Sequence, residues 1–249
     1  MAASFLALNG TAENDVSSTT LTFTTTRLIQ AGEHVVVCGG ENSNQCASIT
    51  VGSLSLASRV SDTSTRDVWI WSAPATADIA SGSTVTVTWA TAQTFHFAIC
   101  ISLAGVAQSG YIDATMSKVF TSGTALDSGV TAAVAAGGVA VAATDFSNQA
   151  GTTATGGYVE QAEINTGSNG GSLQVETLDN VTAGTQNATW TMNTAVTAAG
   201  CVIVVFVAEP AMQTVLPDAD TVTTGWTTTP LYSKINDSSD ATVVTATAA

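Results

Sequence analysis

The chain has 249 residues, of which 45% are apolar and only 10% are charged. Five Lys and Arg stand against nineteen Asp and Glu, which gives a net charge of −14. Such an acidic surface repels phosphate groups and anionic lipid, so we expect neither a nucleic-acid partner nor a membrane partner. The apolar content argues against disorder, and the length allows one large β domain or a domain with an extension.

The polar positions are filled by Thr, Ser, Ala and Gly rather than by charged residues. Thr is β-branched and favours pleated surfaces, whereas the good helix formers Lys, Glu, Gln and Arg are scarce. The composition therefore predicts an all-β protein. Its acidity fits two interpretations, which are solubility through net charge and adaptation to salty water.

Two apolar segments could signal export or membrane insertion, and neither is typical of such a signal. Met1–Gly10 contains no basic region and only a short apolar run, which is not typical of a signal peptide. The most apolar stretch, Cys201–Ala208, is too short to cross a bilayer as a helix. We therefore expect synthesis in a cytoplasm.

Short strand-like runs separated by turn signals fill the first hundred residues, as in a sandwich or jelly roll. In Ser83–Ala90, Val85, Val87 and Trp89 alternate with Thr, which predicts a half-buried antiparallel strand. Thr94–Leu103 is apolar on both faces and is predicted to be central in its sheet. The other strands predicted here are Thr20–Thr26, His34–Cys38, Ser48–Leu56 and Arg66–Trp71.

The second hundred residues are less regular. Gly105–Gly129 is polar and rich in turn residues, and Val130–Ala143 is an Ala/Val run in which alternation favours a strand. We detect no internal repeat of fixed period. The glycine-rich segments Asn148–Gly157 and Asn165–Gly171 are predicted as loops, and the remaining strands are Ser172–Thr177, Ala188–Met192 and Gly200–Val207.

A composition shift near Glu209 predicts a domain boundary. Three of the four prolines lie beyond Ala208, and the apolar alternation fades there. We therefore predict an antiparallel, jelly-roll-like β-sandwich over residues 1–208, followed by a Pro/Thr-rich arm or small appendage over residues 209–249.

The sequence contains no recognisable catalytic, cofactor-binding or metal-binding motif. His34 and His96 are the only histidines, and His96 is expected to pack inside a central strand. No Gly-x-Ser-x-Gly elbow, phosphate-binding loop, dinucleotide fingerprint or calcium loop occurs. A Ser-His-Asp triad or a pair of carboxylates brought together by the fold stays open. We predict no catalytic residue, no cofactor and no metal, and therefore no enzyme.

The four cysteines are predicted to be reduced and mostly buried, as is usual for proteins made in a cytoplasm. Cys38 and Cys46 flank a polar loop, so a disulfide across that loop is the alternative. Trp69 and Trp71 alternate on one strand and are interpreted first as core aromatics. Stacking on a sugar ring is the second interpretation of this pair.

Four stretches resemble structural proteins of tailed phages and prophages. The run Val85–Val106 resembles a β-sandwich module in which an alternating strand precedes a strand that leads into a turn. Val130–Ala143 and Gly200–Val207 match its later strands. The segment Pro217–Asp240 resembles a stretch common in phage virion proteins, through Gly225-Trp226, Leu231-Tyr232 and Ile235-Asn236-Asp237.

The resemblance implies a virion component without catalytic residues. A capsid decoration, or cement, protein would lie on the outer capsid surface and bind the major capsid protein and copies of itself. The alternative is a fibre-like module that binds a receptor or a glycan. The arm residues implied in partner binding are Trp226, Leu231, Tyr232 and Ile235.

Overall fold

A computed structural model describes residues 2–41, 46–62, 66–147, 152–165 and 171–210. All regular elements in this part of the chain are β-strands, seventeen in number, and every strand pair within the sheets is antiparallel. The predicted all-β antiparallel sandwich class is confirmed. The described residues contain no helix, and hence none long and apolar enough to span a membrane.

The first nine strands form two sheets. A five-stranded sheet has the order β1-β9-β3-β7-β6, and a four-stranded sheet has the order β2-β8-β4-β5. Successive strands alternate between the two sheets at the start and the end of this segment, as in a jelly roll. The strands are β1 (Ser4–Asn14), β2 (Ser18–Thr24), β3 (His34–Glu41), β4 (Cys46–Val51), β5 (Leu54–Ser55), β6 (Ala57–Asp62), β7 (Asp67–Pro74), β8 (Thr84–Gln93) and β9 (His96–Ala104).

The next eight strands repeat the same plan. The order of the five-stranded sheet is β10-β17-β12-β15-β14, and that of the three-stranded sheet is β11-β16-β13. The strands are β10 (Ile112–Phe120), β11 (Gly123–Asp127), β12 (Val139–Phe146), β13 (Thr152–Thr155), β14 (Val159–Asn165), β15 (Ser172–Leu178), β16 (Thr189–Val196) and β17 (Ala199–Phe206). We call strands β1–β9 the first repeat and strands β10–β17 the second repeat.

Equivalent backbone features in the two repeats lie 105 residues apart. Gly32 and Gly137 precede β3 and β12 with φ of 92° and 91°, a conformation that glycine adopts without steric cost. Ile29 pairs with Ile79, and Val134 pairs with Gly184, in matching isolated bridges. The structure therefore contains a repeat of backbone topology that the sequence analysis did not detect, and the sandwich region consists of two sandwiches.

The two repeats pack through their five-stranded sheets. One buried cluster lies between these sheets and includes Val36, Ile99, Val141 and Val204. Each sandwich also has one interior cluster of its own, which lies around Trp89 in the first repeat and around Trp190 in the second. The described residues up to Glu209 form one compact unit with four sheet layers. Because the two inner layers are covered on both faces, β3, β9, β12 and β17 are buried along almost their whole length and are mostly apolar.

Several strands escaped the sequence analysis. They are mostly edge strands in which small, polar and apolar residues mix, such as β1, β6, β10 and β14. Within the predicted strand Val130–Ala143, regular pairing begins only at Val139. The segment before it carries the turn at Gly137 that feeds β12. Edge strands bury only part of their surface, so their alternation is weak.

Pro210 is the last described residue. The predicted arm beyond this proline lies outside the described part of the chain. The same holds for the predicted partner-binding residues, which are Trp226, Leu231, Tyr232 and Ile235.

Candidate functional site

His34 lies between the two repeats and not in an open cleft. Its ring contacts Tyr111 at 4.5 Å and Phe206 at 5.0 Å between centroids, and its Nε2 lies 3.1 Å from Ser72 Oγ. Burial, with a further contribution from the Arg59 guanidinium, lowers the pKa of His34 to about 3. The ring is therefore neutral at physiological pH and serves in packing between the repeats.

His96 begins strand β9 and is fully buried. Its ring packs on Trp89 with centroids 4.1 Å apart, and burial lowers its pKa. Neither ring nitrogen has a hydrogen-bond partner in the described part of the chain. His96 therefore lies in the core, as the sequence predicts. No hydrogen bond among the described residues joins its ring to a nucleophile.

A cluster of buried carboxyl groups lies where β3 ends and β7 begins. Glu41 and Asp67 are direct cross-strand partners, and Asp145 approaches from β12 of the second repeat. Burial, then the charges of Asp67 and Asp145, raise the pKa of Glu41 to about 9. Burial raises the pKa of Asp145 to about 8, although the nearby Arg66 opposes this shift. These groups hold protons that an exposed carboxyl would release.

Arg66 joins this cluster across the boundary between the repeats. Its Nη1 lies 3.4 Å from Asp145 Oδ1, and the side chains are 8% and 0% exposed respectively. Three glycines make room for this ion pair, because a Cβ at Gly171 would overlap the Arg66 guanidinium and one at Gly40 would overlap the Asp145 carboxyl. A Cβ at Gly200 would lie 2.5 Å from the Arg66 carbonyl oxygen. Glycine therefore occupies the three positions where a larger residue would displace Arg66 or Asp145.

Beside the cluster a cleft of about 250 Å³ opens between the five-stranded and four-stranded sheets of the first repeat. We call it the tryptophan cleft. Strand β7 contributes Asp67, Trp69 and Trp71, and Cys46 of β4 lies on the opposite side. Trp71 is only half-buried, so part of its ring faces the opening.

Strand β6 supplies the remaining side of the tryptophan cleft. Its pairing with β7 is irregular between Ser58 and Val60, which is a bulge. Because a bulge shifts the alternation by one residue, Ser58 and Ser61 both line the cleft, beside Trp71 and Trp69 respectively. Asp62 ends the strand and also lines the cleft.

Two polar atoms of the cleft lack partners among the described residues. They are Oδ1 of Asp67, which is 2% exposed, and Nε1 of Trp69, which is 1% exposed. Burial, with the neighbouring charge of Asp62, raises the pKa of Asp67 to about 6. The cleft is thus lined by two side chains that carry a buried, unpartnered acceptor and a buried, unpartnered donor, and by one half-buried indole. An unsatisfied buried polar group costs about 1–3 kcal/mol, so these atoms favour a bound polar molecule.

The second repeat carries different side chains at the matching positions. Trp69 pairs with Gly39, and its counterpart Gln174 pairs with Thr144, 105 residues later. The counterpart of Trp71 is Glu176. Both counterparts are fully buried, and Gln174 donates a 2.6 Å hydrogen bond to Glu160. The second repeat therefore has two buried polar side chains where the first repeat has two indoles.

Both Cys38 and Cys46 are free thiols in this structure, and a disulfide between them stays an untested prediction. Cys38 belongs to the cluster between the repeats, whereas Cys46 packs against the cluster inside the first sandwich. The five-stranded sheet separates these two clusters. Cys100 and Cys201 are also free and buried, as expected.

The sequence analysis singled out Trp69 and Trp71 but not Asp62 or Asp67. The structure brings all four into one cleft and adds Ser58 and Ser61. It also gathers Glu41 and Asp145, which the sequence separates by more than one hundred residues. No local sequence pattern pairs these segments, because they belong to two repeats that match in backbone and not in side chains. The described residues contain no group of three or more His, Cys, Asp or Glu side chains able to hold a metal ion.

Comparisons with known protein families, with curated proteins and with solved structures find no match to this chain.

Proposed function

We propose that this chain is a non-enzymatic structural protein of a virus particle, which binds the outer surface of the capsid as a decoration protein. The jelly-roll arrangement supports the proposal, because such folds occur in viral capsid proteins and in lectins. A fold alone does not decide function, so the argument depends on the surface.

The observation that carries the proposal is the use of the positive charges. Each described Arg and Lys is engaged inside the molecule, with Arg27 on Glu33, Arg59 on Ser72 and Tyr111, Arg66 on Asp145, and Lys118 on Asp127. The cations are therefore occupied by partners within the chain and offer little to an external phosphate, and the exposed ionisable side chains are mostly carboxylates, which include Glu13, Asp15, Asp78, Asp113 and Glu160. Such a surface stays away from packaged nucleic acid and suits the outside of a shell.

The proposed mechanism is interface binding by a rigid block. The two repeats share one core, so the block keeps its shape while its outer sheets face the capsid. Residues 209–249, which include Trp226 and Tyr232, reach a neighbouring subunit, either the major capsid protein or another copy of this chain. An extended segment can bind by adding a strand to a sheet edge. Many weak contacts on one shell then act together.

The first test is the copy number of this protein in purified particles of the virus that encodes it. Quantitative mass spectrometry should give a number of copies similar to that of the major capsid protein. A handful of copies would instead favour a tail or fibre part. Absence from purified particles would overturn the virion proposal.

The second test removes the arm. A chain that stops after Pro210 should fold and give the same thermal transition as the full chain, yet bind isolated capsids at least tenfold more weakly. Sedimentation of capsids with each protein measures this directly. Equal occupancy by the two proteins would contradict the role of the arm while leaving the decoration role intact.

A second candidate function is recognition of a receptor or carbohydrate by a fibre-like module. The specific observation that favours it is the tryptophan cleft, with its half-buried indole beside two carboxyl groups. A low copy number together with glycan binding would favour this function over capsid decoration.

A further inference from the structure

We infer that the tryptophan cleft binds a single pyranose ring of a neutral carbohydrate, stacked on Trp71 and hydrogen-bonded at Asp67 and Trp69. The inference deepens the second candidate function and does not require the chain to be a decoration protein. The site is also compatible with a decoration role, since it occupies only one side of the first repeat.

The size of the cleft sets the size of the ligand. Pockets for drug-sized ligands usually measure roughly 300–1,000 Å³. A cleft of about 250 Å³ lies just below this range and suits one sugar ring better than a buried oligosaccharide. The rest of a longer glycan would remain in solvent beyond the opening.

The chemistry of the unused polar atoms selects a hydroxyl-bearing ligand. Asp67 Oδ1 needs a donor, whereas Trp69 Nε1–H needs an acceptor. A sugar hydroxyl donates and accepts at once, so neighbouring hydroxyls of one ring satisfy both atoms once the half-buried Trp71 moves far enough to expose them. The hydroxyls of Ser58 and Ser61, which line the same cleft, add two adaptable partners.

The charge of the cleft excludes other ligand classes. Asp62 and Asp67 repel anions, which argues against phosphorylated or acidic sugars. An ammonium ion would suit Trp71 and the carboxylates, but it has no acceptor for the Trp69 Nε1–H. The apolar face of a pyranose, in contrast, stacks on the half-buried indole of Trp71 while its hydroxyls point to the polar wall.

The test titrates the full chain with methyl glycosides of glucose, galactose, mannose and N-acetylglucosamine. Isothermal titration calorimetry and ligand-observed NMR should show saturable binding of at least one glycoside, with Kd near 1 mM, about −4 kcal/mol. Trp71→Ala should weaken this binding at least tenfold, whereas Trp71→Phe, which keeps an aromatic platform, should retain it within about threefold. Asp67→Asn should weaken binding because the carboxylate acceptor is lost.

Two control variants separate binding from packing. Phe23 is another half-buried aromatic residue on the same interior cluster, but it lies on β2 outside the cleft. Phe23→Ala should lower thermal stability about as much as Trp71→Ala and leave glycoside binding unchanged. Asp15→Asn, which removes an exposed carboxylate outside the cleft, should also leave it unchanged.

Three outcomes would overturn the inference. They are the absence of saturable binding for every glycoside up to 100-fold above the expected Kd, equal binding by the Trp71→Ala variant, and tighter binding of tetramethylammonium than of any glycoside. The last result would make the cleft a cation site. None of them bears on copy number in the particle, so the decoration proposal stands or falls separately.

Discussion

The two repeats share one backbone plan, yet they use corresponding positions in opposite ways. On β7 the first repeat places Trp69 and Trp71 beside a cleft, whereas on β15 the second repeat places Gln174 and Glu176 in the interior. Burial, then the charge of Glu160, raise the pKa of Glu176 to about 9, so this side chain is held as a neutral acid. The difference teaches that the shared fold requires neither the two tryptophans nor the Gln174 and Glu176 side chains. Trp69 and Trp71 therefore belong to the candidate site and not to the scaffold that both repeats share.

The largest expected effect comes from separating the repeats. Fragments 1–104 and 105–210 should each fail to fold alone, because each would expose the apolar face of a five-stranded sheet that the other now covers. Circular dichroism and size-exclusion chromatography should show aggregation of either fragment, and co-expression should restore a soluble complex. A stable monomer of either fragment would contradict the view that the two sandwiches form one cooperative core.

The fold class could be predicted from the sequence because it depends on alternation and composition, which are local. The alternation of Val85, Val87 and Trp89 with Thr is enough to predict their strand. The duplication could not be predicted, because the repeats match in backbone and not in side chains: Trp69 and Trp71 become Gln174 and Glu176. The cluster of Glu41, Asp67 and Asp145 depends on two pairings across the fold, which no local pattern encodes.

The buried ion pair between the repeats gives the next prediction. Arg66→Met should lower the free energy of unfolding by about 3 kcal/mol at pH 9, where most of the Asp145 carboxyl is ionised in the folded chain and would lose its cation while it stays buried. The matched control is Lys118→Met, which breaks an exposed pair with Asp127 in the second repeat, where the side chains are 43% and 28% exposed. That change should cost only about 0.5 kcal/mol. Urea denaturation measures both, and equal effects would refute the distinction.

A pH titration probes the buried acids of both repeats. The folded-state pKa values of Glu41, Asp145 and Glu176, at about 9, 8 and 9, lie above their ordinary values of 4.5, 3.8 and 4.5. The folded chain therefore binds more protons than the unfolded chain between these limits, and stability falls as pH rises. We expect stability to fall continuously from pH 5 to pH 9, and each of the three groups contributes to this loss.

Single variants assign this pH dependence to one repeat or the other. Glu41→Gln and Glu176→Gln each replace a buried acid by a neutral side chain of the same size, so each should flatten the curve and raise stability at pH 9. Chemical denaturation at several pH values measures the slopes. If only Glu41→Gln acts, the pH dependence belongs to the cluster where the repeats meet; stability that rises with pH in the unmodified chain would contradict the assignment of raised pKa values.

The smallest expected effect concerns the thiols. Cys46 is half-buried in the tryptophan cleft, whereas Cys38, Cys100 and Cys201 are fully buried. Burial, with the charge of Glu41, raises the pKa of Cys46 to about 12, so at pH 8 only roughly one molecule in 10,000 carries the thiolate. Iodoacetamide should therefore label one thiol per native chain, slowly, and the others only after unfolding. Peptide mapping by mass spectrometry identifies the labelled residue.

Because Cys46 lines the cleft, a bound glycoside should slow the labelling of Cys46 further and leave the labelling rate of the unfolded chain unchanged. Labelling of Cys201 at the rate of Cys46 would mean that the second repeat opens as readily as the first, which would contradict the placement of the open site in the first repeat alone.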